Sequence, residues 1–374
     1  MLRVGSDFSG VGAFNQALKR LGIEYKEVFA CDMDKFARET FIHNYGEPEY
    51  YPHNVYDREI PSESLDIYMT SPPCQAFSLA GKRLGKDDKR GILFFNSHEF
   101  IQVNKPRFFI FENVKGLLSD DGGKTFQEWV NMLGGKSVNG VPVLFPYEES
   151  VPYHLYWQVL NAKHHGVPQN RERVFLIGIR DDKDNQFQFP REEHLTKRLK
   201  DVLEDDVDEK YFLSEKIIND IFIDDFKVKT ATSKGYEEAT EGDSINFSVP
   251  NNETRRGRGG KGVAQTLDTS CNQGVWIADY RADEGLRIRK DNLSPCMTSS
   301  MRDSAEWNPK AGTRNPPLVG YDYKIRRLTP RECFRLMDFP DTFTWSVSDS
   351  QAYKQAGNSI VVNVLYKILK QLPL

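Results

Sequence analysis

Cysteine is scarce in this 374-residue chain: there are five, at 31, 74, 271, 296 and 333. They are odd in number, scattered, and never form a C-x-x-C pair, which argues against a disulfide framework and against a zinc cage, so no metal site is expected. Long apolar runs are missing too. Nowhere do about 18 apolar residues follow one another, and the opening MLRVGSDFSG has no charged region leading into an apolar stretch. Neither a membrane span nor a signal peptide is expected, which places the protein in the cytoplasm. Excess charge of one sign is also lacking, with 50 basic and 54 acidic side chains giving a net charge of −4. That average hides an asymmetry along the chain. Residues 181–250 carry 19 acidic and 10 basic side chains, whereas residues 251–330 carry 9 acidic and 14 basic. A basic stretch opening RRGRGGKG inside a near-neutral chain is the local footprint that nucleic-acid binding leaves, although on charge alone a solvated loop fits it as well.

The length exceeds one ordinary domain, so a large domain with a smaller one is the starting expectation. Up to about residue 180, short β-prone runs alternate with helical periodicity. LRVGS and AFNQALKRLG, KEVFAC and DKFARETFIHNYG, LDIYMT and LFFNSHEFIQVN, RFFIFE and TFQEWVNMLGG read as four βα units. Such alternation predicts an α/β fold, a parallel sheet with helices on both faces, and YHLYWQVL and RVFLIGI could close the sheet. Between 181 and 325 the period is lost to charge runs, Gly, Asn and Ser, which predicts a smaller inserted domain of loops and short strands. GVAQTLDTS (262–270) and NLSPCMTSS (292–300) share a faint pattern 30 residues apart, too short to establish a repeat. After 326 regular structure returns. LTPRECFRLMDF predicts a helix with Thr329 as N-cap, Pro330 at N1 and Glu332 completing a capping box, and NSIVVNVLYKILKQL a last amphipathic helix. The first domain is therefore expected over 1–180 and 326–374, and the second over 181–325.

Chemistry gathers where strands end. DFSGVGAF lies at the first strand-to-helix turn, where Gly10 and Gly12 let the backbone approach a ligand and leave helix N–H groups facing it. A dinucleotide fingerprint needs a third glycine where Asn15 stands, so a nicotinamide site is a poor match. Asp32 or Asp34, after the second strand, is placed to hydrogen-bond a ribose diol. LDIYMT leads into TSPPCQAFS, where Pro72 and Pro73 fix two φ angles and stiffen the mount of Cys74. FFIF delivers Glu112 to the carboxyl edge of the sheet, the edge at which open α/β sheets bind ligands. A carboxyl half-buried there has a raised pKa and can share a proton. Gln169, Arg171 and Arg173 alternate along QNRERVFLIG and so point to one face.

These residues, taken in order as DFSGVGAF, PPCQAFS, FENV, QNRER and AGNSIVVNV, closely resemble the DNA cytosine-C5 methyltransferases of bacteria and phages. The matching motifs run from residue 7 to 364. The resemblance implies an S-adenosylmethionine-dependent, Rossmann-like methyltransferase sheet, with 181–325 as the target-recognition domain. It implies methyl transfer to C5 of cytosine in a specific double-stranded DNA sequence. Cys74 would attack C6 of a flipped-out base as a thiolate, and Glu112 would hold the ring at N3 and the 4-amino group. Arg171 would orient base and thiol, supported by Arg173 and Gln169, while Asn113 would brace the proline pair. For the cofactor, S-adenosylmethionine leaving as S-adenosylhomocysteine, it implies Phe8, Gly10, Gly12, Asp32, Met33, Asn54, Pro72, Asn358, Ser359 and Ile360. For DNA it implies Gln75, Ser78 and Arg90 around a lid at 79–91, with Arg255, Arg256, Arg258 and Lys261 on phosphates. A monomer is expected, with a cognate restriction endonuclease as partner where one accompanies it.

Two departures stand out. Asn54-Val55 replaces the usual Asp-Ile, although an amide oxygen can still accept from the adenine amine. Ser6-Asp7-Phe8 replaces the commoner Asp-Leu-Phe, which leaves the role of Asp7 open. The rivals are a tRNA cytosine methyltransferase of the same family, whose Cys-Phe-Thr signature is absent since Arg335 follows Cys333-Phe334, a DNA-binding module without catalysis, and a dehydrogenase.

Overall fold

The computed structural model describes residues 1–73, 92–182, 186–224, 227–248, 257–277, 280–281, 285–286 and 324–374. The alternation expected of the first half is present as β1 (Leu2–Asp7), α1 (Ala13–Leu21), β2 (Tyr25–Cys31), α2 (Lys35–Tyr45), β3 (Ile67–Thr70), α3 (Ile92–Asn104), β4 (Phe108–Val114) and α4 (Lys124–Leu133). β5 (Ser137–Val138), β6 (Val141–Pro142), β7 (Tyr153–Asn161), β8 (Gln169–Asn170) and β9 (Glu172–Arg180) follow. One eight-stranded sheet has the order β2-β1-β3-β4-β9-β7-β5-β6.

The sheet is mixed rather than wholly parallel. β1, β2, β3 and β4 run parallel, but β9 is antiparallel to both β4 and β7. The reason lies in the connection: the stretch between β7 and β9 is too short to hold the crossover helix that a parallel neighbour needs. At the far edge, Asn139 and Gly140 both adopt positive φ, 47° and 81°, and turn β5 into β6. This Asn-Gly pair between apolar residues is the strongest short-range hairpin signal in the chain, and the sequence reading passed over it.

Aromatic rings fill the core. Tyr68 stacks on Phe100 at 4.1 Å and Phe94 on Trp129 at 4.3 Å between centroids. β4 is buried along FFIFEN, as a central strand covered on both faces must be. The first-turn residue Asn15, which stands where a third glycine would, donates to Glu27 on β2. Burial pushes the Glu27 carboxyl up to about 8, so it is protonated at neutral pH and can share its site with the amide.

The chain divides into two compact units. The first comprises Met1–Val202, Val263–Cys271 and Pro330–Leu374, and the second Leu203–Gly262 and Asn272–Thr329. These limits differ from the expected breaks at 180/181 and 325/326. Residues beyond 180 stay with the first unit because their side chains pack on it, Phe187 against Tyr156 and Glu193 against Lys367.

The second unit holds α5 (Glu215–Ile221), a two-stranded antiparallel pair of Tyr280–Arg281 with Gly285–Leu286, and two larger antiparallel sheets. β10 (Phe222–Asp224), β11 (Lys227–Lys229) and β12 (Tyr236–Glu238) form one. β13 (Ser244–Asn246), β14 (Gly259–Gly260) and, after an interruption, β16 (Gln273–Ile277) join the strand Lys324–Arg327 in the other. Ile221, Val228, Ile245, Phe247, Trp276 and Ile325 make its core. The interruption is β15 (Ala264–Gln265), which leaves the second unit and pairs in parallel with β8 in the first. The chain ends in the first unit with α6 (Pro330–Leu336), α7 (Asp349–Asn358) and α8 (Val362–Leu369). α6 and α8 lie within the expected helices. α7 was not foreseen, because DSQAYKQAGN is polar and its apolar face is mostly alanine. Thr329, the expected N-cap, donates its hydroxyl hydrogen to Glu204. No helix among the described residues is long and apolar enough to cross a membrane.

Candidate active site

Strand register sets the level of the site. Thr70 pairs with Asp7 on one side and Phe111 on the other, so β1 and β3 end level with Phe111 and β4 carries Glu112 one residue beyond them. On the reversed β9, Arg173 stands second in the strand, opposite Val114. Glu112, Arg173 and the Pro72-Pro73 pair therefore share one edge. Cys74 follows two residues after Pro72 and lies outside the described residues, as do Gln75, Ser78, the expected lid at 79–91 with its Arg90, and Arg255 and Arg256.

Glu112 is buried, with Oε1 3.0 Å from Nε of Arg173. Burial raises its pKa against the opposing pull of Arg173 and, less strongly, Arg171. A carboxyl held between these forces can carry a proton toward a ring nitrogen. Next to it, Asn113 donates from Nδ2 to the Pro72 carbonyl at 2.9 Å and so ties β4 to the proline mount.

The two arginines differ from expectation. Arg171 is the deeper one, and its guanidinium is occupied by main-chain carbonyls: Leu267 at 3.2 Å, Gly357 at 2.9 Å and Ser359 at 2.8 Å. Burial pushes its pKa down to about 9. With that donor set it clamps the backbone, and the arginine that meets Glu112 is Arg173. Gln169 is fully buried and likewise structural, donating to the Leu336 carbonyl at 2.8 Å.

The clamp joins three segments that are remote in sequence. Residues 263–271 run beside β8, where Thr266 Oγ1 donates to the Asn170 carbonyl at 2.8 Å, and pass over Gly357. A Cβ at Gly357 would lie 2.5 Å from the Asp268 carbonyl oxygen and 2.9 Å from the Thr269 nitrogen. Backbone atoms cannot swing aside. Gly357→Ala should cost about 1–3 kcal/mol or more, seen as a lower Tm together with reduced activity, and an unchanged Tm would contradict this packing.

On the cofactor side, the turn after β1 passes through left-handed backbone at Phe8 (φ 58°), Gly10 (φ 53°) and Gly12 (φ 83°). Gly12 caps α1 without a side-chain acceptor, and a Cβ at Gly10 would meet nothing within 4 Å. Asp32 accepts from Gly10 N through Oδ2 and from Asp34 N through Oδ1, both at 2.8 Å, and burial raises its pKa. Asp34 is instead the N-cap of α2, accepting from Phe36 and Ala37. Asp34 is thereby committed to starting α2, while Asp32 ties the turn after β1 to the end of β2. Beside it Met33 is 84 % exposed, an apolar surface open for a flat ligand to cover. Asn54 turns its Oδ1 to Tyr56 N at 3.1 Å, which leaves that oxygen one further lone pair for an amine. Pro72 and Ser359 are buried, Ile360 is half-buried and Asn358 is exposed at the α7–α8 junction.

The expected phosphate contacts fare worse. Arg258 is 1 % exposed and donates Nη1 to the Asn246 and Ser248 carbonyls, so it holds the fold of the second unit and cannot offer its charge to DNA. Lys261 is exposed but lies 3.0 Å from Asp243.

Comparison with known proteins adds to this geometry. The family described as C-5 cytosine-specific DNA methylase matches residues 2–373. The orphan methyltransferase M.SPRI of Bacillus phage SPR is 33% identical over 99% of this chain and 97% of its own. The type II methyltransferase M.HhaI of Haemophilus parahaemolyticus is 31% identical, covering 96% and 91%. Among solved structures, the Dnmt2 methyltransferase of S. pombe superposes with TM-score 0.60 at 19% identity, over 99% and 97% of the two chains, a likeness that speaks to the fold.

Proposed function

The chain belongs to the C-5 cytosine-specific DNA methylases, and from that footing we propose that Cys74 attacks C6 of a cytosine flipped out of a specific double-stranded DNA sequence while Glu112 and Arg173 hold the ring. Methylation of cytosine in DNA at C5 is the activity of the family. The observation that carries the finer reading is the pairing of buried Glu112 with the half-buried Arg173, beside the proline mount of Cys74.

Each step follows from the chemistry of this chain's groups. The Cys74 thiolate adds to C6, and the electron pair of the C5–C6 bond moves into the ring. Glu112 gives its proton to N3, which neutralises the charge that addition creates, and accepts from the 4-amino group. Arg173, which keeps Glu112 oriented, has donors left for the base oxygen. Once C5 carries the methyl group, loss of the C5 proton to a base, departure of Cys74 as thiolate and return of the N3 proton to Glu112 restore the aromatic ring and both groups. S-adenosylmethionine, when bound, supplies the electrophilic methyl. Its methionine end suits the open left-handed turn at Phe8–Gly12 and its ribose suits Asp32. Its adenine suits Met33 and Asn54, and Ser359 with its neighbours Asn358 and Ile360 closes the pocket. Extraction of the base from the duplex costs a few kcal/mol, which contacts to the flipped nucleotide must offset.

The test is a tritiated methyl-transfer assay on duplex DNA and on tRNA side by side, followed by bisulfite sequencing of the DNA product. Counts in duplex DNA at one recurrent cytosine context support the reading. Counts confined to tRNA would transfer the assignment to the RNA branch.

A further inference from the structure

The strand that leads to the cofactor turn ends in a carboxylate where the resembled motif commonly has leucine, and the structure buries it. Asp7 is 1 % exposed. Its Oδ1 lies 3.0 Å from Nε of Arg58, and its Oδ2 accepts the Tyr68 hydroxyl hydrogen at 2.6 Å. Arg58 also donates Nη2 to the Asn96 carbonyl at 3.3 Å, and its guanidinium sits 4.6 Å from the centroid of Phe100, the ring on which Tyr68 stacks. One residue along α3, the Ser97 hydroxyl meets that of Thr70 at 2.9 Å.

Stability gives little reason for such an arrangement. Taking two charges out of water costs about as much as their attraction returns, and a well-packed apolar pair is often as stable or more so. What the ion pair has and leucine lacks is direction. It fixes particular atoms of separate chain segments against one another, and those segments are the ones that carry the site. Asp7 immediately precedes Phe8 and the glycine turn. Arg58 lies four residues after Asn54, and Tyr68 four before Pro72. Asn96 and Ser97 belong to the beginning of α3, which follows the segment that contains Cys74.

We propose that Asp7 and Arg58 are positioning residues for the cofactor: their ion pair holds the Asn54 turn against the Phe8–Gly12 turn, so that both ends of S-adenosylmethionine meet a preformed site. This rests on the assignment of the cofactor pocket made above. Neither residue touches the cofactor. Arg58 acts through Asn54 and Asp7 through Phe8. Without the pair, binding must itself order the two turns, and that ordering lowers affinity.

The experiment is calorimetric titration of the full-length protein with S-adenosylhomocysteine, well below the melting temperature, with Tm recorded for every variant. Asp7→Asn keeps the shape and the Tyr68 hydrogen bond but strands the Arg58 charge, and Arg58→Lys keeps the charge but loses the planar fork. Both should weaken Kd by roughly tenfold or more. The matched apolar double variant, Asp7→Leu with Arg58→Met, should recover most of the Tm while its Kd stays at least about fivefold raised. In steady-state transfer the change should sit in KM for S-adenosylmethionine rather than in kcat. A double variant that binds within about twofold of the parent overturns the proposal, since the pair would then serve packing alone. Should the double variant fail to fold, Arg58→Lys decides by the same limit. A parent protein that does not bind S-adenosylhomocysteine would instead refute the pocket assignment.

Discussion

Replacing Cys74 with alanine should lower methyl transfer by at least about 10⁴-fold while affinity for duplex DNA and cofactor is retained. Covalent addition is what makes C5 of cytosine a carbon nucleophile, and among the described residues no other thiol can take over; Cys296 lies outside them. Cys31, Cys271 and Cys333 are all buried. Burial pushes the Cys31 thiol up to about 12 and Cys333 well above its ordinary value, so neither supplies a thiolate near neutral pH. The measurement is tritium transfer, paired with denaturing gels of the protein incubated with 5-fluorocytosine duplex and S-adenosylmethionine. Fluorine cannot leave as a proton does, so the parent should be trapped as a slower-migrating adduct, and Cys74→Ala should show none. Appreciable transfer by that variant would end the covalent mechanism.

What was legible in the sequence was local. A strand pattern followed by two prolines and a thiol, an apolar run ending in Glu112, and glycines at a strand-to-helix turn each announce themselves within about ten residues. Their placement at one sheet edge follows from the α/β alternation, and the register of β1, β3 and β4 agrees with it. What escaped is nonlocal. β15 is two residues long and pairs with β8 from the far side of some sixty residues of the second unit, so no window around Ala264 reveals that the segment belongs with the first unit. The Asp7–Arg58 pair had a visible half, a charge at the end of an apolar strand, but its partner sits in a loop without periodicity. Charge counting failed at Arg258 because it registers sign and not depth, and that guanidinium is turned inward to carbonyls.

The arginines of QNRER show the same limit most clearly and allow the sharpest remaining test. Period-two spacing puts Gln169, Arg171 and Arg173 on one face but cannot rank them by depth. The structure does: Arg171 satisfies three buried carbonyls, and Arg173 faces Glu112. Removing Arg171 strands those carbonyls at about 1–3 kcal/mol each, so Arg171→Ala should lower Tm by roughly 10 °C or prevent folding. Arg173→Ala should melt close to the parent and yet lose about 10²–10³ in kcat. The pH dependence separates Glu112 from both. Its folded pKa lies above the ordinary carboxyl value, so near neutrality more of it is protonated than of a free carboxyl, and that fraction falls as pH rises. Cys74 needs the opposite trend, since its thiolate grows with pH. The parent's kcat/KM should therefore pass through a maximum, with Glu112 setting the alkaline fall. Glu112→Gln cannot ionise, so the variant should be about 10²-fold slower with that alkaline fall removed. An alkaline limb unchanged in Glu112→Gln would show that the proton reaches N3 from another group, and a stable but inactive Arg171→Ala would return Arg171 to the base.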